Sequence, residues 1–118
     1  MIDLPDNFSA LAKPDLFEAF KNQIKKDFEM CALNADFVLK LDSDYGLLLQ
    51  SLAKEIEAVM KNYSTKLSEL LYRIDISEQQ VKKLSKEKTD SHLFDIVAEL
   101  IIKRELQKVV IREMFKSK

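Results

Sequence analysis

Apolar residues recur at helical spacing along most of the chain, and in its last third they occupy two opposite sides. From Leu93 to Phe115, at about 100° per residue, Leu93, Val97, Leu100, Ile101, Ile111 and Phe115 fall in one sector roughly 100° wide. Arg104 and Lys108 stand in the middle of that same sector. Across the helix, Ala98, Ile102, Leu106 and Val109 make a second apolar patch. A helix apolar on two sides has to be covered on both, by its own bundle, by a second copy or by a partner.

Upstream the pattern predicts further helices. The first dozen residues read as a lead-in with at most one helical turn. Pro14 and Asp15 then announce a helix, with Asp15 and Glu18 spaced like a capping box. Leu16, Phe17, Phe20, Ile24, Phe28, Cys31 and Ala35 trace its stripe, and after Asn34 the phase slips toward Leu33, Phe37 and Leu41. The 36–42 segment therefore reads as a bent helix or a packed connector, because a lone strand has no partner here. Asp42-Ser43-Asp44 supplies the next cap. From Tyr45 to Ile74 the apolar positions keep within about 140° of arc, which predicts one helix ~46 Å long and an elongated molecule unless that helix kinks. Ser77 and Gln80 form a capping box, while Ile76 and Val81 form a hydrophobic staple, so the chain reverses around Arg73–Ile76 into a short helix. Thr89-Asp90-Ser91 offers the cap of the last one.

Composition agrees. One Gly and two Pro in 118 residues suit long helices rather than a β-sandwich or barrel, and 47% apolar residues suffice for a core. The expected architecture is all-α: an elongated antiparallel bundle of three long helices plus one short helix, in a single domain over 1–118 with 1–13 as lead-in. A lone cysteine, Cys31, rules out an intramolecular disulfide and fits a reducing compartment. The first residues are acidic and lack the apolar core of a signal peptide, and no apolar run approaches ~20 residues, so the reading is cytoplasmic, with no membrane partner.

Charge is balanced overall at −1 but tilted: residues 1–76 carry 9 basic and 13 acidic side chains, residues 77–118 carry 10 and 7. Spread over solvated helix faces, the basic tilt disfavours nucleic acid as a partner. A helix-turn-helix made of the last two helices fares no better. Its turn around Lys86–Ser91 is long, and Asp95 and Glu99 would repel phosphates.

Inventory removes most chemistry. One histidine, His92, and one cysteine exclude zinc-finger and di-iron frameworks, and a single glycine, Gly46, excludes a phosphate-binding loop. No catalytic residue, metal ligand or cofactor is indicated, and an enzyme is the least supported reading. Glu55, Glu57, Glu99 and Glu105 read as solvated helix-face carboxylates. Charges within apolar stripes are rarer. Asp27 lies between Ile24 and Phe28 and is expected to face Arg104 or Lys108 across a helix–helix contact. Otherwise the long side chains reach solvent, or the two cations floor a pocket for a carboxylate or phosphate. The pattern thus points to a non-enzymatic interaction module that forms a homodimer or binds another helical protein. Its expected interface is Ala98, Ile102, Leu106, Val109 and Val110, unless the lead-in covers that patch through Ile2, Leu4, Phe8 and Leu11. The alternative is a small-ligand or anion-binding bundle with its site around Arg104 and Lys108.

Overall fold

Pro14 sets the first turn of helix α1, Pro14–Met30, and suits that place because a first-turn N–H has no helical partner to lose. The computed structural model describes residues 9–116. Within them lie α1, α2 (Tyr45–Asn62), α3 (Ser64–Ile74), α4 (Glu78–Glu87) and α5 (Leu93–Lys116). The capping box expected at Asp15 is absent: the cap is Lys13, which makes no side-chain bond to the helix. A 3-10 turn at Ser9–Ala12 precedes α1 and buries Ala10 and Leu11. Ile2, Leu4 and Phe8, expected to cover α5, lie outside the described residues.

The connector after α1 is a 3-10 turn, Asp36–Lys40, with Val38 buried and Phe37 edge-on to Phe28 at 4.9 Å between ring centroids. Asp44 caps α2 by accepting from the Leu47 N–H at 3.0 Å. At the next reversal the capping box is complete. The Gln80 N–H donates to Ser77 Oγ at 3.2 Å, and the Ser77 N–H donates to Gln80 Oε1 at 2.7 Å. The last helix begins later than its expected cap, because His92 rather than Thr89-Asp90-Ser91 receives its first N–H groups. The Ile96 N–H bonds the His92 carbonyl at 3.1 Å, and the Phe94 N–H reaches His92 Nδ1 at 3.3 Å.

The single long helix expected over 45–74 is two helices. Tyr63 leaves helical geometry at φ −147°, ψ 65°, and α3 starts afresh at Ser64. Asn62, Tyr63, Ser64 and Thr65 are all weak helix formers, and their side chains or backbone compete with the helical ladder. The break interrupts the line of α2, and the molecule measures 42 × 31 × 24 Å with a radius of gyration of 13.9 Å. That radius is close to the ~13–14 Å of a compact chain of this length, which corrects the elongated form.

Helix α5 packs against α1, α2, α3 and α4. Being surrounded, it buries residues on several faces: Val97, Ala98, Ile101, Ile102, Glu105, Leu106 and Val109. With Phe20, Ile24 and Phe28 of α1, Leu48, Leu52 and Ile56 of α2, and Leu70 and Ile74 of α3, the apolar residues among them form one core. No described helix is long and apolar enough to cross a membrane.

Candidate functional site

Two places in the fold stand apart from ordinary core and surface. One is a buried charged cluster where α1, α3 and α5 meet. The other is an open apolar groove between α3, α4 and α5.

Asp27 is 2% exposed and Glu105 0% exposed, and they are the buried charged residues among those described. Asp27 gathers donors from three helices. Gln23 Nε2 donates to Oδ2 at 3.2 Å, Arg73 Nε donates to Oδ1 at 3.0 Å, and Lys108 Nζ stands 3.8 Å from Oδ2. Gln23 is held in turn by Arg112, whose Nη1 donates to Gln23 Oε1 at 3.0 Å. Lys108 thus meets Asp27 and Arg104 does not. Arg104 Nη2 instead donates to Asp75 Oδ2 at 3.2 Å, in the exposed turn after α3. Both cations expected to floor an anion pocket are therefore directed at carboxylates.

Glu105 was expected on a solvated face, and the structure buries it completely because α5 packs against four other helices. Lys108 Nζ approaches its Oε1 at 3.2 Å, yet neither Glu105 oxygen receives a hydrogen bond from a protein donor. Lys108 joins it to Asp27, standing 3.8 Å from that carboxylate as well. Burial first, then the bond to Asp27 and that neighbour's negative charge, push the Glu105 carboxyl up to about 8, against the opposing pull of Lys108. Asp27 moves the other way. Burial opposes its charge, but the bonds from Glu105 and Gln23 and the charges of Lys108 and Arg73 outweigh that and hold it below its usual value. These opposite shifts favour a protonated Glu105 beside an ionised Asp27. Sequence reasoning marked Asp27 and Lys108 but missed Glu105, Arg73 and Gln23. Gln23 and Asp27, one helical turn apart, carried the available signal.

The expected interface is placed differently. Ala98, Ile102, Leu106 and Val109 are at most 3% exposed, covered by the chain's own helices, and only Val110 is half-buried. They offer no surface to a second copy, whereas Leu93 and Phe115 of the opposite stripe stay exposed.

The open apolar surface lies elsewhere. Met60, Leu67, Leu71, Tyr72, Ile76, Val81, Leu93 and Val97 line a groove of about 500 Å³. Tyr72 is 88% exposed, Leu93 49% and Met60 41%. The break at Tyr63 creates this groove by turning α3 away from the line of α2. Helix α4, its other wall, has no buried residue. Glu78 and Lys82 stand on that wall, lining the groove, and neither forms an ion pair among the described residues.

A third, polar cleft of about 380 Å³ at the start of α5 includes Tyr45, Lys88, Asp95, Glu99 and Lys103. Within it Lys88 Nζ donates to Glu99 Oε1 at 2.6 Å, and Tyr45, raised to about 12 by burial and by Glu99, stays a protonated phenol. Cys31 is buried, and burial pushes its thiol above the usual range, away from nucleophilic use. Exposed His92 lines a different cleft, with Ala53, Lys54 and Glu57. Among the described residues no group of three or more His, Cys, Asp or Glu side chains is placed to hold a metal ion.

Comparison of the chain with protein-family models, with curated proteins and with solved structures finds no match, so the reading rests on the residues themselves.

Proposed function

We propose that this chain is a non-enzymatic helical interaction module that self-associates as a two-fold dimer through the groove between α3, α4 and α5. One observation carries the reading: the apolar groove, with Tyr72 88% exposed beside it, is rimmed by Glu78 and Lys82, opposite charges one turn apart without ion-pair partners. A two-fold axis passing between them on α4 pairs Glu78 with the partner's Lys82, and does so twice. The same contact covers Met60, Tyr72, Val81 and Leu93, and it gives α4 the buried face that it lacks within one chain. The helices serve as a scaffold holding this surface, and the free thiol of Cys31 suits work in a reducing cytoplasm.

Sedimentation velocity across a concentration series tests this reading. The wild type is expected as a dimer, and Glu78→Lys or Lys82→Glu alone should weaken it about tenfold or more, roughly 1.4 kcal/mol per decade. Swapping both charges together should restore dimerisation, because the exchanged pattern is again self-complementary. A wild type that stays monomeric into the high micromolar range, or a double swap no better than the singles, overturns the proposal.

A further inference from the structure

Glu105 is fully buried, and both its oxygens lack a donor from the protein, an arrangement that would be costly for an ionised carboxylate. The groups around it explain how it is tolerated. From α1, Asp27 presents a carboxylate already held by Gln23 and by Arg73 of α3. From α5 itself, Lys108 stands 3.2 Å from Glu105 and 3.8 Å from Asp27. The charged groups acting on Glu105 are thus Asp27 and Lys108, with Arg73 acting on the far side of Asp27. If Glu105 were ionised, two adjacent carboxylates would face two cations that are themselves partly in water. With one proton, Glu105 becomes the donor that Asp27 accepts.

We propose that a single proton shared by Asp27 and Glu105 latches α1 to α5, so that the joint of α1, α3 and α5 is a pH-sensitive device that loosens as the medium turns alkaline. When α1 separates from α5, Glu105 meets water and releases its proton, so opening is coupled to proton release. The sign follows from which state binds the proton more tightly. Glu105 holds its proton more tightly in the closed protein, so its contribution is fully present below its ordinary value of 4.5 and is lost as pH rises toward about 8. Asp27, lowered from 3.8, acts oppositely: its contribution is present above 3.8 and is lost as pH falls through its depressed value. Stability should therefore peak in mildly acidic medium and decline through neutrality. This joint lies inside one chain and does not depend on the dimer.

The test is urea unfolding at pH 5, 7 and 9 and fixed protein concentration, in a Cys31→Ala background that removes the one buried thiol. The wild-type midpoint is expected to fall from pH 5 to pH 9. Glu105→Gln, which keeps a donor for Asp27 without a titrating proton, should be nearly flat across that range and more stable than Glu105 at pH 9. A slope unchanged by Glu105→Gln, or no slope with Glu105 in place, overturns the proposal. Carboxyl carbon shifts of the wild-type protein give a reading that needs no substitution. One glutamate should titrate well above the others, with accompanying amide shifts confined to α1, α3 and α5. Ordinary titration of every glutamate overturns the latch.

Discussion

Arg73 Nε donates to Asp27 Oδ1 at 3.0 Å, tying the end of α3 to the last turn of α1 across 46 positions of sequence. The two partners are unequal. The Arg73 side chain keeps 32% of its surface in water, while that of Asp27 keeps 2%. Truncating either breaks the same contact, but the group left behind differs. Without Arg73, Asp27 still has Gln23 and Lys108; without Asp27, Arg73 loses its counter-charge and Lys108 keeps only Glu105.

Asp27→Ala should therefore destabilise by about 3 kcal/mol, the low end for breaking a buried pair because the cations are partly solvated. Arg73→Met should cost only about 1 kcal/mol, since its methylenes are replaced and a third of its side chain is in solvent. Chemical denaturation of both single variants and the double variant checks the asymmetry. Equal losses from the two single substitutions would contradict it.

Leu106→Lys separates burial from interface. Leu106 is 3% exposed, so a lysine there places an ammonium in the core. The expected outcome is loss of cooperative unfolding or a destabilisation above about 3 kcal/mol, within the range for severe core changes. A variant that stays fully folded while changing only its oligomeric state would show Leu106 to be surface after all. Circular dichroism melting and sedimentation together decide.

How much of this was legible depends on how local each cause was. The stripes of α1 and α2 and the box at Ser77 and Gln80 were readable, because i, i+3 and i+4 neighbours determine them. Asp27 was readable as an anomaly, since it interrupts Ile24 and Phe28. Arg73 was not, because its partner is 46 positions away and nothing local distinguishes it from a solvated helix-end arginine. Glu105 was misread for a related reason. Helical periodicity assigns faces by assuming that one side meets water, and α5 is covered by four other helices. The break at Tyr63 had a weak signal in Asn62-Tyr63-Ser64-Thr65, but without Pro or Gly the apolar arc continued through it.

Ser77→Ala should cost about 1 kcal/mol, the usual loss for removing a capping side chain. It leaves the Gln80 N–H without its acceptor at the start of a helix that has no buried residue to compensate. The loss should therefore concentrate in α4 and its groove. Amide hydrogen exchange should show α4 protection falling more than that of α1 or α2. A uniform loss across the protein would mean that α4 does not open by itself.

Ala32→Gly should stabilise. α1 ends with the Leu33 N–H on the Phe28 carbonyl at 2.9 Å and the Ala32 N–H on the Glu29 carbonyl at 3.0 Å, a reversal that puts Ala32 at φ 58°. A left-handed conformation costs an L-residue about 1–2 kcal/mol, whereas glycine adopts it freely. Against this, glycine raises the entropy of the unfolded chain by about 0.4–1 kcal/mol. Ala32 is exposed, so no packing is lost, and the net expectation is a gain of about 0.5–1 kcal/mol. Asp75, at φ 76° after α3, provides the internal comparison. Aspartate tolerates this region better than alanine, and Asp75 also accepts from Arg104, so Asp75→Gly should gain less or nothing. Melting temperatures of the two variants, measured side by side, should rank Ala32→Gly above wild type and above Asp75→Gly; the reverse order would mean that strain at Ala32 is relieved elsewhere in the turn.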